Sequence, residues 1–302
     1  MSLDKIQSIL KRRGFIWKSC EQYGGLSGFY DYGHLGTLMK NNFEDIWRNF
    51  FLSLDPNFFE ISPSLIMKDK VFKASGHLDH FTDPVVKCSK CGLTERADHI
   101  LEDQLNEKFE GLSEDELSEI IEKHDIKCSK CGGRFEEVTQ INLMFPLDVG
   151  VYDQSRAYLR PETAQGSYLN FSREFNALRK KLPLGLAVIG KAFRNEISPR
   201  QGVYRTREFT QAELQIFFDP TRIKDHEKWD SIKDYKLKLC SSENREEVFD
   251  VSCEEVTSQF GLPRFYVYHM AQVQKFYTEV LKIPSQEVRF FELNEEERSF
   301  YN

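Results

Sequence analysis

Two groups of side chains have the types and spacing for chemistry. The first is four cysteines in two C-x-x-C pairs, Cys88 and Cys91 in KCSKCG and Cys128 and Cys131 in KCSKCGG. Each pair can aim two thiolates at one point, and two pairs complete a tetrahedral zinc site. Four protein ligands leave no open position, so the metal would be structural Zn²⁺. Lysines before and between the thiols favour the deprotonated form. Two disulfides, or four unrelated thiols, are the alternative readings of the same spacing. Cys20, Cys240 and Cys253 are expected to be buried rather than reactive, and thiol usage of this kind points to a reducing cytosol.

The second group lies in Leu186 to Asp219. From Phe209 to Phe218 the pattern has period two. Thr210, Ala212, Leu214, Ile216 and Phe218 form a largely apolar face that must pack on a core, while Phe209, Gln211, Glu213 and Gln215 form the other. Leu186 to Ile197 also reads as a strand, with Arg194 and Glu196 on one of its faces, and the joining segment carries turn residues with Arg200 and Arg205. An antiparallel hairpin would gather Arg194, Glu196, Phe209 and Glu213 on one surface. Arginine on such a surface can grip phosphate in bidentate geometry. A phenylalanine beside it offers a platform for a purine, and carboxylates can accept from an amino or ammonium group. A solvated face with ordinary ion pairs is the bland alternative. Upstream, LRPETAQG puts Glu162 at a strand-to-helix junction, where it serves either as a helix cap or as a fixed negative charge for a substrate ammonium.

These residues need a scaffold, and the chain is long enough for about two domains. Helices are predicted over Lys5–Arg13, Leu35–Phe51 and Thr163–Lys180, with strands near Phe58–Ile61, Ile141–Phe145 and Ala157–Arg160. Strands and helices without regular βαβ alternation predict an α+β fold built on an antiparallel sheet flanked by helices. The cysteine segment interrupts it as a zinc-binding insertion. The expected divisions are 1–83, 84–137, 138–219 and 220–302. Net charge is −7, but residues 101–125 alone hold ten acids against two lysines, so the remainder is close to neutral and a local basic surface for nucleic acid stays open. Ser113 and Glu116 read as a capping box opening a helix in that acidic stretch, which is expected to be a solvated face. No apolar run approaches the ~20 residues of a membrane-spanning helix. Asp4 and Lys5 stand where a secretory signal would build its apolar stretch, so a cytoplasmic location is expected.

FRNE (Phe193–Glu196), REFTQAE (Arg207–Glu213) and RPETAQG (Arg160–Gly166) resemble the motifs of class II aminoacyl-tRNA synthetases. With EQYGGLSGFYDYG (Glu21–Gly33), LMKNN (Leu38–Asn42) and ASGHLDHFTDP (Ala74–Pro84), the resemblance narrows to glycyl-tRNA synthetases of the dimeric archaeal and eukaryotic type. It implies Arg194 on the ATP α-phosphate, Arg205 toward the outer phosphates, and Phe209 stacked on adenine. Glu196 falls on the adenine side of ATP or near the acceptor end. Glu162 and Glu213 hold the glycine ammonium, and Arg200 in the motif 2 loop faces the tRNA acceptor. The helix from Leu35 and the strand ending at Pro63 resemble motif 1, a homodimer interface. The implied activity is ATP- and Mg²⁺-dependent glycine activation followed by transfer to tRNA(Gly).

Two stretches depart from the family pattern: His34 stands where proline is usual, and Met144–Gly150 differs from the usual run. Both are expected near the pocket. Between Val203 and Asn302 there is one glycine, Gly261, too few for the glycine-rich motif 3, so the chain reads as the N-terminal portion of a synthetase, without motif 3 or the anticodon-binding domain. A truncated product, an incomplete piece, or one half working with a separate C-terminal fragment all fit. A non-catalytic synthetase-like protein binding nucleotide or RNA is the alternative, and a class II enzyme for another amino acid a third.

Overall fold

The computed structural model describes residues 3–105, 107, 109, 111–152, 155–179, 181–197, 199 and 202–294. It divides into two compact units, Met1–Arg179 with Gly185–Gln215, and Lys180–Leu184 with Ile216–Asn302. The first opens with α1 (Leu3–Arg12), the hairpin of β1 (Ile16–Lys18) and β2 (Tyr30–Tyr32), the long α2 (His34–Phe51) and β3 (Phe58–Glu60). Next come β4 (Ile66–Lys68), α3 (Asp69–Ala74), the single turn α4 (His77–His80), β5 (Thr82–Lys87), β6 (Thr94–Arg96), α5 (Ala97–Leu105), α6 (Glu114–Lys123) and β7 (Thr139–Asn142). It closes with β8 (Phe145–Val149), β9 (Ser155–Leu159), α7 (Ala164–Ala177), β10 (Leu184–Phe193) and β11 (Glu208–Phe217), the last two running slightly past the boundary. The second unit holds β12 (Lys236–Cys240), β13 (Phe249–Ser252), α8 (Cys253–Phe260), α9 (Arg264–Lys275) and β14 (Phe290–Phe291). Its core gathers Trp229, Ile232, Leu237, Val256, Val267 and Ala271.

In the first unit β10 is the central strand of β11-β10-β3. Leu184, Leu186, Ala187 and Val188 are almost fully buried along it, as expected for a strand covered on both faces. The expected antiparallel pairing holds for most of the described strands, with exceptions at β3 and β14. β3 runs parallel to β10, pairing Phe58 with Gly185 and Glu60 with Ala187. The sheet β4-β9-β8 is antiparallel throughout. In the second unit β12 pairs antiparallel with β13 and parallel with β14. Long crossovers, such as the one from β3 to β10, bring strands together in either direction, whereas a short turn permits only the antiparallel one.

The inserted module grows out of β5, which pairs antiparallel with both β6 and β7. It has its own core of Val86, Ile100, Leu101, Leu117, Ile121, Ile126 and Val138. The capping box at Ser113 and Glu116 is present at the start of α6. That acidic helix is two-sided: its charges face water, while Leu117 and Ile121 are buried in the module core. Of the three single cysteines, Cys240 and Cys253 are buried, but Cys20 is exposed because it sits in the left-handed conformation that opens the turn at Glu21–Tyr23.

Candidate functional site

The alternation of β11 sends Gln211, Glu213 and Gln215 against the segment around the start of α7, and Phe209 against Arg194. The Gln211 side-chain oxygen accepts the backbone N–H of Thr163 at 3.1 Å. The Thr163 hydroxyl donates to Glu213 in a short hydrogen bond, and the Tyr168 hydroxyl donates to Gln215 at 3.2 Å. Thr163 is the N-cap of α7, yet its hydroxyl caps nothing because it serves Glu213. Glu162 therefore sits one residue outside the helix, not within its first turn, and accepts from Gln165 Nε2 at 2.6 Å. Burial raises the Tyr168 phenol above its ordinary value, and the charges of Glu162 and Glu213 add to the effect, which places both carboxylates near one ring. Gly166 permits this junction: a Cβ there would overlap the Pro63 ring.

Arg160 lies beneath this surface and is almost fully buried. Its Nε donates to Lys191 O at 2.8 Å, and its guanidinium fills the space left by the missing side chain of Gly190, where a Cβ would overlap Nη2. Burial lowers its pKa and the charge of Glu213 works the other way, so a buried cation stands near that carboxylate.

Arg194 and Glu196 do not share a strand face. β10 ends at Phe193, and the chain then turns tightly, with Glu196 N donating to Arg194 O at 2.7 Å. The turn breaks the alternation and separates the two side chains. Arg194 stays on the side of β11's polar face, its Nε donating to Pro161 O at 3.2 Å and its guanidinium carbon 5.4 Å from the Phe209 ring centre and 5.4 Å from that of Phe81. Glu196 is buried at 7% exposure and accepts from Arg205 Nε at 2.8 Å. Arg205 is thus engaged by an ion pair instead of standing free at a rim. Arg207 donates to Glu196 O at 2.8 Å and Ser27 O at 3.1 Å. Arg200 lies outside the described residues. His34 opens α2, and Met144 packs with Met67 and Phe72.

The structure thus brings Arg194, Phe209, Glu162 and Glu213 together, and sets Glu196 and Arg205 to one side as a pair. Sequence reasoning missed Thr163, Gln165, Tyr168, His77 and Phe81. His77 Nε2 stands 3.6 Å from Glu162. The local signal for His77 and Phe81 was their place in the ASGHLDHFTDP run. No local signal points to Tyr168, whose partner is 47 residues away. Chemically, the arrangement can hold an ammonium between carboxylates while an arginine and a ring meet an anionic, aromatic ligand.

The four module cysteines are free thiols whose sulfurs all lie within 4.8 Å of one another. Cys88 and Cys131 Sγ are 3.5 Å apart, and Cys91 and Cys128 Sγ 3.7 Å. A tetrahedron with Zn–S bonds of ~2.3 Å has edges of about 3.8 Å, so the donor set fits a metal and is too open for disulfides. Each pair is a tight turn closed by glycine: Gly92 N donates to Cys88 O and Gly132 N to Cys128 O, both at 2.9 Å, with φ of 69° and 67°. The backbone N–H of Cys91 pulls the Cys88 thiol down to about 6. At Cys131 the N–H of Gly133 acts the same way, but burial and the three neighbouring sulfurs push it up to about 12.

Residues 148–282 match the family model described as tRNA synthetase class II core domain (G, H, P, S and T). The chain is 44% identical over 99% of its length to a glycine–tRNA ligase of Thermococcus sibiricus, covering 52% of that protein. It is 45% identical over 98% of its length to one of Pyrococcus horikoshii, again covering 52%. One of Methanococcus maripaludis is 45% identical over 92% of this chain and 50% of its own. The chain spans about half the length of the curated relatives it matches. A solved structure of the RNA-binding domain of threonyl-tRNA synthetase from Cryptosporidium parvum Iowa II aligns over 87% of this chain and 48% of its own, at 17% identity and a TM-score of 0.43.

Proposed function

Because the chain carries a class II tRNA synthetase core and is related over nearly its whole length to glycine–tRNA ligases, we propose that it presents the amino-acid-activating face of a glycine–tRNA ligase. The observation that supports this most is the polar face of β11, every member of which meets the substrate-side segment or Arg194. In this reading Glu162 and Glu213 hold the ammonium of glycine, Phe209 stacks on the adenine of ATP, and Arg194 faces the α-phosphate. The glycine carboxylate attacks the α-phosphorus in line, and pyrophosphate leaves. The 3′-terminal ribose hydroxyl of tRNA(Gly) then takes the glycyl group and AMP departs. Catalysis would be positioning and charge stabilisation, with Mg²⁺ accompanying ATP. Choosing glycine is exclusion, since a methyl group alone supplies only ~1–3 kcal/mol of discrimination.

Glu196 accepts from Arg205, so in this reading Arg205 meets the outer phosphates only by leaving or sharing that pair. Arg200 is assigned to the acceptor end of tRNA. Cys88, Cys91, Cys128 and Cys131 would hold Zn²⁺, which fixes the two knuckles and supplies no reaction chemistry. Leu38, Met39, Phe43 and Ile46 project exposed apolar groups from α2, which suits a homodimer through that helix and β3. No helix among the described residues is long and apolar enough to cross a membrane; a cytoplasmic site of action fits the proposed reaction.

Glycine-dependent ATP–pyrophosphate exchange, run on the chain alone and with a C-terminal fragment of a relative, tests the proposal. Exchange that requires glycine and is lost in Arg194→Ala is the expected result. No exchange under either condition, together with an ATP affinity unmoved by Arg194→Ala, would leave a synthetase-like binding protein instead. Substituting serine or alanine for glycine tests for a different amino acid.

A further inference from the structure

We infer that the segment His77–Phe81 is a positioning element for both charged ends of this site, Phe81 holding the Arg194 guanidinium and His77 the Glu162 carboxylate. The inference rests on the activation reading above and gives roles to two residues that it leaves out. Both charges come from irregular backbone: Arg194 follows the last residue of β10, and Glu162 precedes the cap of α7. The Arg194 N–H donates to Arg207 O at 3.0 Å, but a backbone bond leaves the side chain free to swing, so each of the two side chains needs a wall.

That wall is one short piece of chain. The Phe81 ring centre is 5.4 Å from the Arg194 guanidinium carbon, within range for a cation over a ring. His77 Nε2 is 3.6 Å from Glu162, and its Nδ1 is 2.9 Å from Ser75 Oγ, which orients the imidazole. The two rings meet edge to face, 5.6 Å apart at 62°. Leu78 and Phe81 pack on Met67, Phe72 and Met144, a small apolar cluster beneath the segment.

The backbone is tied as firmly. Asn142 Nδ2 donates to His77 O at 2.9 Å and to Leu78 O at 3.0 Å, while its Oδ1 accepts Met144 N at 2.9 Å. Leu143 N donates to Phe81 O at 2.9 Å, and Leu143 O accepts Asn195 N at 2.8 Å. Asn142 and Leu143 thus form a strut from the aromatic pair to the residue next to Arg194. A shift of that strut moves the Glu162 and Arg194 supports together.

The test titrates ATP and glycine separately into the full chain by calorimetry, with thermal unfolding as a check that each variant is folded. Phe81→Leu keeps apolar volume and removes the ring. It should weaken ATP by roughly three- to thirtyfold while leaving glycine unchanged, and Phe81→Tyr should restore ATP binding. His77→Leu should weaken glycine by roughly two- to tenfold and leave ATP unchanged. Asn142→Ala, which touches neither charge, should weaken both. If Phe81→Tyr binds ATP as poorly as Phe81→Leu, or if each single variant lowers both ligands equally, the segment is ordinary core and the inference is wrong. A wild-type chain that binds neither ligand removes the activation reading itself, and this inference with it; that result differs from the others because no variant can then be told from wild type.

Discussion

The cysteine module and the polar face of β11 belong to the same compact unit, yet they are held by different means. The module is fixed by backbone: glycine-closed turns, main-chain N–H groups aimed at sulfur, and a private apolar core. The β11 face is fixed by side chains reaching between segments, Thr163 to Glu213, Tyr168 to Gln215, Arg194 to Pro161. A metal needs ligands at set distances and little else, so local geometry suffices. The substrate proposed for the β11 face, charged at both ends, would need groups from several elements, and contacts made through side chains could adjust to it.

The contrast can be broken by experiment. Metal removal should have the largest effect. In small zinc domains the ion contributes on the order of ~10 kcal/mol to folding. Cys88→Ser should therefore lower bound metal from about one ion per chain to none and collapse hydrogen-exchange protection across the module core. ATP affinity should survive; if it falls with the metal, the two regions are one cooperative body and the contrast fails. Arg194→Ala comes next, with glycine-dependent exchange expected to drop by roughly 10²–10³, as when a single donor to developing charge is removed, while metal content stays unchanged.

Gly133→Ala asks how tight the module is. A Cβ at that position would sit 2.8 Å from Lys90 Cβ, 3.0 Å from Cys88 Sγ and 3.2 Å from Cys131 Sγ. Relief of such overpacking costs about 1–3 kcal/mol, so metal competition assays should show affinity falling by roughly ten- to a hundredfold. The smallest effect concerns the acids at the base of the module, where Arg96 contacts Asp83 at 3.1 Å and Asp98 at 2.5 Å. Burial raises the Asp83 carboxyl above its ordinary value. At Asp98 burial is again the largest single cause and works the same way, but the hydrogen bond and charge of Arg96 and the N–H of His99 together outweigh it, and the value falls. Asp98 therefore contributes stability above the ordinary carboxylate pKa, lost as pH falls through its depressed one. Ionising Asp83 costs stability as pH rises through its raised value. At neutral pH, Asp98→Asn should lower the melting temperature and Asp83→Asn should raise it slightly; equal signs would count against the charge arrangement.

What could be read without coordinates follows from this contrast. The cysteine cluster was legible because its determinants lie within a few residues of each other. The face of β11 was legible because period-two alternation is local, and so was the capping box of α6. The break after Phe193 was not: FRNE gives no sign that the strand stops inside it, so Glu196 was placed on a face it does not share with Arg194. The parallel pairing of β3 was equally hidden, since more than a hundred residues separate it from β10. His77 and Phe81 act through partners 85 and 113 positions away, and only the fold reveals such meetings.

Arg160 and Gly190 carry a consequence for how such chains can diverge. The guanidinium fits only because position 190 lacks a side chain, and it cannot retreat to water because its surroundings are closed. Position 190 is therefore free to gain a side chain only where position 160 changes with it. A relative that has gained any Cβ at 190 should have given up arginine at 160 in the same lineage, and a laboratory pool selected for solubility should show the two substitutions linked far above chance.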